Sequence, residues 1–256
     1  MKLAATDFDG TFCPIRAAVP EENLAAVRKW QAAGHKFGIN TGRGIGLIWL
    51  ELEKYETLAP DFLICNNGAV IVDGRGEILA SLVYPQDVLA GVISLPQFAE
   101  GSDPLLVITE RETFSLRPNP DVELGIGVMP EVTLAAAKAM PGVVQLSMRC
   151  ETTEAAEAVA RAVHDAFPQL SGNINRNYLD LNLEGADKAA GIARLLAVTG
   201  WQVAPEDLFV IGDDKNDLPA IERYHGYTVA TAADFMKQAA RAVYPTVGDM
   251  LLENLA

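Results

Sequence analysis

The sequence lacks long apolar segments and has few cysteines. No stretch of the 256-residue chain approaches the roughly 18 apolar residues of a membrane-spanning helix, so no membrane span is expected. Cys13, Cys65 and Cys150 are odd in number and widely spaced. Such cysteines fit neither a disulfide framework nor a metal-binding pair, and they are typical of reduced thiols in a cytoplasmic protein. A strand is predicted from Leu3, which leaves no room for a signal peptide.

Basic residues are also scarce. The chain has 20 Lys and Arg residues against 34 Asp and Glu residues, which gives a formal net charge of −14 at pH 7. Nucleic acid and anionic membrane surfaces attract basic proteins, so we expect neither as a partner. A small anionic substrate stays compatible with this charge, because a single site can be positive within an acidic protein.

Half of the chain is hydrophobic and only 21% is charged, which is the composition of a packed globular protein. The length suits one large domain or two modest ones. The sequence contains no internal repeat, low-complexity tract or charge run. A folded monomer or homodimer is therefore expected.

Polar residues follow four short apolar runs near the two ends of the chain. The runs and the residues after them are 3–5 with Asp7, Asp9, Gly10 and Thr11; 37–39 with Asn40, Thr41, Gly42 and Arg43; 62–65 with Asn66, Asn67 and Gly68; and 208–211 with Gly212, Asp213, Asn216 and Asp217. Helical patterns separate the runs, and one of these begins at Lys188. Apolar strands that alternate with helices predict a doubly wound α/β fold around a parallel sheet. Because ligands bind at the carboxyl ends of such strands, we expect these polar residues to share a site.

The alternation is lost in the middle of the chain. A hairpin pattern at 69–82 is followed by strand patterns at 105–109, 113–117 and 143–150, and by one or two more strands at 174–177 and 178–183. Helical patterns lie at 86–99, 131–139 and 153–167, and a Pro- and Gly-rich loop lies at 118–130. Strands that follow strands indicate an α+β arrangement. We predict that residues 82–185 form an inserted α+β domain, and that residues 1–81 and 186–256 together form the parallel-sheet domain.

The residues at the strand ends predict a particular chemistry. Clustered carboxylates repel one another, and a divalent cation relieves the repulsion; Mg²⁺ prefers one or two carboxylates together with water and phosphate oxygens. Thr41, Lys188 and the N–H groups of the glycine turns supply donors for a tetrahedral anion. A metal, an anion pocket and a carboxylate nucleophile together indicate phosphoryl transfer through an aspartyl-phosphate.

Four stretches, in this order, resemble the four motifs of the haloacid-dehalogenase superfamily. They are Asp7-Phe-Asp-Gly-Thr, Thr41-Gly-Arg, Lys188 and Gly212-Asp-Asp-Lys-Asn-Asp. Two further segments, Asn66-Asn-Gly-Ala-Val-Ile and Tyr178-Leu-Asp-Leu-Asn-Leu-Glu-Gly-Ala-Asp-Lys, are similar to its Cof-type sugar-phosphatase branch. That branch carries a large α/β cap after the third strand, where the pattern changes here. The resemblance covers nearly the whole chain and implies a haloacid-dehalogenase-like core with an inserted cap.

The resemblance also implies an activity and a role for each motif residue. The activity is Mg²⁺-dependent hydrolysis of a small phosphorylated metabolite, such as a sugar phosphate, through an aspartyl-phosphate. Asp7 would be the nucleophile and a Mg²⁺ ligand; Asp9 would be the general acid and base, and its backbone carbonyl would ligate the metal. Asp213 would complete the metal site.

The remaining roles concern the phosphate and the lysine. The residues implied in phosphate or substrate binding are Thr41, Gly42, Arg43, Lys188 and Asn216. Asp217 would orient Lys188 or metal-bound water. From the sequence alone, Arg43 is equally consistent with a solvated charge, and Asn67 with either a substrate contact or a turn.

Several alternatives are open at this point. An EF-hand loop needs Gly at its sixth position and Glu at its twelfth, and neither Asp7 nor Asp213 begins such a loop. A receiver-type phosphoacceptor domain would be about half this length, without an insert. A phosphomutase of the same superfamily, or a catalytically idle phosphate-binding or regulatory module, stays compatible with the motifs.

Overall fold

The computed structural model describes residues 1–118 and 129–256. These residues form two layers, each built around its own β-sheet. An eight-stranded sheet joins the two ends of the chain. Its strands are β1 (Leu3–Thr6), β2 (Lys36–Asn40), β3 (Phe62–Cys65), β4 (Val70–Asp73), β5 (Ile78–Ser81), β11 (Leu208–Gly212), β12 (Tyr227–Val229) and β13 (Val243–Tyr244). Their spatial order is β13-β12-β11-β1-β2-β3-β4-β5. Neighbouring strands from β13 to β3 are parallel, and β4 and β5 extend the sheet as an antiparallel hairpin.

Helices cover both faces of the parallel sheet. They are α1 (Glu21–Ala32), α2 (Ile45–Leu52), α7 (Lys188–Thr199), α8 (Leu218–Tyr224), α9 (Asp234–Ala239) and α10 (Val247–Glu253). Every residue of β1, β3 and β11 is buried, which requires cover on both faces of the sheet. α1 packs against α10, and α7 packs against β3, β4 and α8. The predicted doubly wound α/β fold is therefore confirmed.

The second layer is an antiparallel sheet, called here the cap sheet. It contains β6 (Leu105–Thr109), β7 (Thr113–Arg117), β8 (Val143–Arg149), β9 (Leu170–Asn175) and β10 (Tyr178–Leu183), in the order β7-β6-β8-β10-β9. Its helices are α3 (Gln86–Ile93), α4 (Pro96–Ala99), α5 (Leu134–Lys138) and α6 (Thr153–Ala166). The described elements agree with an inserted α+β unit, and the domain bounds 82 and 185 stay a prediction.

The two faces of the cap sheet have different surroundings. On β6, Leu105 and Val107 pack with the hydrophobic residues of α3 and α6, whereas Leu106 and Ile108 join the hydrophobic core of the parallel-sheet layer. Alternate residues of a strand point to opposite faces, so the second pair faces the carboxyl ends of the parallel strands. The cap sheet therefore lies directly over the predicted site.

Some predicted element boundaries are wrong. The helix expected at 86–99 is two helices, because Pro96 opens the second one and Leu95 before it is extended. The helix expected at 131–139 begins only at Leu134, where the Thr133 hydroxyl accepts a hydrogen bond from the Ala136 N–H. Most of the loop expected at 118–130 lies outside the described residues.

The strand expected at 174–177 also has different bounds, whereas the strand expected at 178–183 is β10. β9 begins at Leu170, and the chain turns at Arg176 in a left-handed conformation before β10 starts.

Among the described residues, no helix combines the length and apolar composition needed to cross a membrane.

Candidate active site

The carboxyl ends of β11, β1 and β2 lie side by side at one edge of the parallel sheet. In the strand register, Thr6 pairs with Ile211 on one side and with Ile39 on the other. The residues that follow these strands therefore leave the sheet at the same level. Asp7, Thr41 and Asp213 line a single cavity at this edge.

Lys188 reaches this edge from the start of α7. The helix is capped by Asp187, whose Oδ1 accepts a hydrogen bond of 2.7 Å from the Ala190 N–H. The Lys188 side chain is 1% exposed, and its Nζ lies 2.6 Å from Asp7 Oδ1 and 2.6 Å from Asp217 Oδ1. One ammonium group is thus shared by two buried carboxylates.

Burial and charge act in opposite directions on these groups. Burial disfavours the ammonium form, but the Asp217 and Asp7 carboxylates outweigh this effect and raise the pKa of Lys188. Burial also raises the pKa of Asp7; Lys188 opposes this rise, and the neighbouring carboxylates add to it. The site therefore holds one ammonium among several carboxyl groups, and burial disfavours the charged form of Asp7.

Asp213 completes the acidic group from the end of β11. Its Oδ1 accepts a hydrogen bond of 2.6 Å from the Thr11 hydroxyl. Its Oδ2 lies against Gly10, where an added Cβ would come within 2.4 Å and where the backbone has a φ of +91°. Only glycine suits both constraints. Burial raises the pKa of Asp213 to about 6, and the nearby Asp217 and Asp214 add to the rise.

Both carboxylate oxygens of Asp217 already accept hydrogen bonds. Its Oδ1 is bound to Lys188, and its Oδ2 accepts hydrogen bonds from the N–H groups of Asp213 at 3.0 Å and Asp214 at 3.2 Å. The carboxylate therefore orients Lys188 and holds the turn that carries Asp213.

The acidic group has the composition of a divalent-cation site. One carboxylate oxygen from each of Asp7, Asp213 and Asp217 lies within 4.8 Å of the others. Because Asp217 is occupied by Lys188 and backbone N–H groups, Asp7 and Asp213 are the two acids available to a metal. Two carboxylates in a self-repelling, partly buried group suit a hard cation such as Mg²⁺.

The loop after β2 lies beside Asp7. Thr41 is buried, its N–H donates to Ile64 O at 2.8 Å, and its Oγ1 accepts from the Arg43 N–H at 3.1 Å. Gln145, from the cap sheet, donates to the Gly42 carbonyl at 3.3 Å. The loop is thus fixed from both layers.

The Asp9 side chain is directed away from the three-acid group. Its two oxygens accept hydrogen bonds of 2.7 Å from Nε and Nη2 of Arg43, and the Asp9 side chain is 45% exposed. Arg43 also lies 3.5 Å from Glu51. Burial disfavours the guanidinium charge, and the bonds to Asp9 outweigh it, so the pKa of Arg43 is raised. Arg43 lines the cavity and is paired with Asp9 in this structure, and its binding of phosphate stays a prediction.

A model of the haloacid dehalogenase-like hydrolase family matches residues 4–249. The chain belongs to this family. The predicted superfamily is therefore confirmed, and with it the prediction of a hydrolase. The pyridoxal phosphate phosphatase YbhA of Escherichia coli strain K12 is 23% identical over 273 residues, which cover 100% of this chain and 96% of that protein.

Solved structures of similar proteins share the whole fold of this hydrolase. The subclass IIB sugar phosphatase BT4131 has a TM-score of 0.83 and 22% identity, and the match covers 99% of this chain and 98% of that one. SMU.1108c from Streptococcus mutans UA159 has a TM-score of 0.84 and 17% identity, with the same coverage. At these identities the likeness concerns the fold alone, including the inserted cap.

The cavity of this hydrolase has a volume of about 400 Å³ and lies between the two layers. The cap sheet contributes residues to which the sequence analysis assigned no role. The parallel-sheet layer contributes predicted site residues, namely Asp7, Asp9, Thr41, Gly42, Arg43, Asp213 and Asn216. The cap residues include Leu106, Ile108, Gln145, Ser147, Tyr178 and Asp180. The cavity thus combines an acidic end with a mixed polar and apolar wall.

Asp180 is the most informative residue that the sequence-based prediction did not single out. Burial raises its pKa to about 6, against the lowering effect of hydrogen bonds from Ser147 and Asn67. One signal was available in the strand pattern, because Leu179 and Leu181 are buried in the cap core and Asp180 lies between them. Alternation therefore places Asp180 on the face of β10 that covers the site.

Proposed function

We propose that this hydrolase is a Mg²⁺-dependent phosphatase that acts on small phosphate monoesters, such as sugar phosphates, through an aspartyl-phosphate intermediate. The sugar phosphatase and the pyridoxal phosphate phosphatase among its relatives support this substrate class. An acidic chain without a membrane-spanning helix among its described residues is consistent with a freely diffusing metabolite as substrate.

The observation that carries the proposal is the contact of one buried ammonium with two acids, of which Asp7 lines the cavity. Lys188 Nζ lies 2.6 Å from Asp7 Oδ1, and Asp217 anchors the same ammonium from the other side. A phosphoryl group next to Asp7 would therefore meet a fixed positive charge and the Thr41 loop. Phosphoryl transfer depends mainly on such positioning and charge neutralisation.

The residues support two successive displacements at phosphorus. In the first, an Asp7 carboxylate oxygen bonds to phosphorus, the bond to the ester oxygen breaks, and Asp9 gives its proton to the departing alcohol. In the second, Asp9 takes a proton from water, the water oxygen bonds to phosphorus, and the bond to Asp7 breaks. The products are the alcohol and inorganic phosphate, and both acids return to their starting forms.

Asp9 must turn for this sequence to occur. In the structure it is paired with Arg43 at 2.7 Å and lies outside the acidic group. Because Arg43 also contacts Glu51, the guanidinium keeps a counter-charge when Asp9 leaves it. Arg43 is then free to meet a substrate oxygen.

Asp7 and Asp213 are the residues that would hold Mg²⁺, together with the backbone carbonyl of Asp9. When bound, the cation would neutralise the carboxylates and polarise the phosphoryl oxygens. The roles of Gly42 and Asn216 are to shape and line the phosphate end of the cavity.

The test is phosphate release from p-nitrophenyl phosphate and from a panel of phosphorylated metabolites. We expect turnover with Mg²⁺, loss of turnover in excess EDTA, and no turnover in Asp7→Asn, because an amide cannot attack phosphorus. Robust activity after removal of metal, or a tenth of the wild-type rate in Asp7→Asn, would contradict the proposal. Transfer of phosphate between positions of one sugar without its release would indicate a phosphomutase instead.

A further inference from the structure

A chain of side-chain hydrogen bonds crosses the cavity from the cap sheet to the phosphate end. Ser147 Oγ donates to Asp180 Oδ1 at 2.6 Å, and Asn67 Nδ2 donates to Asp180 Oδ2 at 3.0 Å. Asn216 Nδ2 then donates to Asn67 Oδ1 at 3.2 Å. We call Asp180, Asn67 and Asn216 the relay.

The relay joins three separate parts of the fold. Asp180 lies in the middle of β10, Asn67 follows β3, and Asn216 lies in the short turn between Asp213 and Asp217. It also lies against the phosphate loop, since a Cβ added to Gly42 would come within 3.2 Å of both Asn67 Oδ1 and Asp180 Oδ2. The relay therefore connects the cap sheet by hydrogen bonds to the turns that follow β3 and β11.

The relay has a single possible polarity. A carboxylate accepts hydrogen bonds and donates none, so the amide nitrogen of Asn67 must face Asp180. The Asn67 carbonyl then faces Asn216, so Asn216 must donate a hydrogen bond from its amide nitrogen. The charge on Asp180 thus determines the orientation of an amide two residues further along the relay.

The Asn216 amide keeps hydrogen-bonding capacity for a ligand. Asn216 is 8% exposed and lines the cavity, and its buried Oδ1 has no hydrogen-bond partner within residues 1–118 and 129–256. Its Nδ2 has a second hydrogen beyond the one given to Asn67. A phosphoryl oxygen accepts hydrogen bonds and donates none, so this second N–H, and not the buried Oδ1, is the group of Asn216 that suits it.

The middle of the relay is a strained segment. Asn66 and Asn67 have φ values of +53° and +52°, and such left-handed residues are costly and persist only when their surroundings hold them. The bond from Asn67 to Asp180 is one of the contacts that hold this segment. Without an acceptor at position 180, the Asn67 amide loses the hydrogen bond that fixes its orientation.

We propose that Asp180 is a positioning residue: acting through Asn67, it fixes the Asn216 amide toward the phosphoryl group bound at Asp7 and Thr41. The inference rests on the proposed function, because it assigns the phosphate to that end of the cavity. The cap sheet then contributes to the transferred group itself, in addition to forming the wall around the leaving group.

The first test compares two substitutions at the same position. Asp180→Leu removes the acceptor at similar size, whereas Asp180→Asn keeps an oxygen that can face Asn67. We expect Asp180→Leu to lower kcat for p-nitrophenyl phosphate and to weaken binding of inorganic phosphate, measured by calorimetry with Mg²⁺, each by about 10- to 100-fold. Asp180→Asn should restore most of both losses. Equal losses in the two variants would overturn the proposal.

The second test asks whether Asp180 acts through Asn216. In a double-mutant cycle, Asp180→Leu introduced into Asn216→Ala should change kcat and phosphate affinity by less than about twofold, because the group it positions is already gone. Full additivity of the two losses would show that Asp180 acts independently, for example by contacting the leaving group, and would also overturn the proposal.

Tyr84→Phe is the matched control. The Tyr84 hydroxyl donates to the Leu181 carbonyl at 2.8 Å, next to Asp180 on β10 but outside the relay. This variant should retain wild-type kcat and phosphate affinity. If Asp180→Leu does not fold, Asn67→Gly breaks the relay from the other layer, tolerates the left-handed backbone and should give the same losses. Wild type that neither hydrolyses phosphate esters nor binds phosphate would refute the proposed function as well, whereas an active wild type with an additive cycle refutes this inference alone.

Discussion

At the scale of single residues, two features of Asp9 suggest different roles, and the sequence does not distinguish between them. Its side chain is paired with Arg43 in the structure, yet it follows Asp7, the proposed nucleophile, by two residues and lines the cavity. A general acid matters most when the leaving group is a poor one. Its contribution should therefore depend on the substrate.

We expect Asp9→Asn to slow turnover of a sugar phosphate by about 10²- to 10⁴-fold, the usual contribution of a general acid and base. The loss in formation of the aspartyl-phosphate should be smaller for p-nitrophenyl phosphate, because nitrophenolate departs with little help from a proton. Rapid-mixing measurements of the first turnover on both substrates test this. An equal loss on the two substrates would assign Asp9 a positioning role instead of proton transfer.

The sequence predicted much of the residue-level geometry because the motif residues follow parallel strands. Asp7, Thr41 and Asp213 share a cavity since their strands are neighbours in the sheet. The relay could not be predicted in this way. Asp180 and Asn67 are 113 positions apart in the chain, and their contact depends on how the cap sheet lies over the core.

At the scale of elements, the turn after β3 packs closely against the start of α7. Gly68 has a φ of +92°, and a Cβ there would lie 2.2 Å from the Asp187 carbonyl, next to Lys188. Gly185 has a similar φ of +85°, but open space surrounds it. Substitutions at Gly68 and Gly185 therefore distinguish the free-energy cost of the backbone conformation from the cost of a steric clash.

We expect Gly185→Ala to destabilise the protein by about 1 kcal/mol, the ordinary cost of a left-handed alanine. Gly68→Ala should cost at least about 2 kcal/mol more, because the backbone of α7 must move, and it should also lower kcat by displacing Lys188. Urea unfolding and steady-state kinetics measure the two effects. Similar results for both variants would show that the Asp187 contact relaxes freely.

The cap sheet is the element expected to select the substrate. Its residues form the wall of the cavity opposite the acidic group. Replacing residues 82–185 with the insert of a related hydrolase should shift the profile of hydrolysed metabolites while hydrolysis of p-nitrophenyl phosphate persists. A folded chimera with an unchanged profile would place specificity in the parallel-sheet layer.

Element boundaries were less predictable than element order, for identifiable reasons. A helical pattern over 86–99 hides the break at Pro96, whose ring cannot continue the preceding helix. β9 begins at Leu170 because it pairs with Leu183 at the far end of β10. That pairing is a property of the hairpin register, and it leaves little trace in the local sequence.

At the scale of the whole molecule, the acidic group opposes folding. The pKa of Asp213 is raised to about 6, whereas an unfolded carboxyl group titrates near roughly 3.9. Because the folded-state pKa is the higher one, the ionised form destabilises the protein above a pH of about 6. The penalty diminishes as the pH falls toward the unfolded value. Lys188 offsets part of the charge, but it is already shared by Asp7 and Asp217.

Asp213→Asn removes one charge at nearly constant shape, and its amide oxygen can still accept from Thr11. At pH 7.5 in EDTA we expect this variant to be more stable than wild type by about 1 kcal/mol, allowing for partial solvent screening, with a smaller difference at pH 5. Mg²⁺ should reverse the order. At a hundredfold excess over its Kd, the cation stabilises wild type by about 2.7 kcal/mol, while the variant binds it poorly and gains little. Four melting curves test this, each protein with EDTA and with Mg²⁺. An absent shift in wild type, or an equal shift in the variant, would show that Asp213 is not part of the metal site, and the stability of the molecule would then be independent of its cofactor.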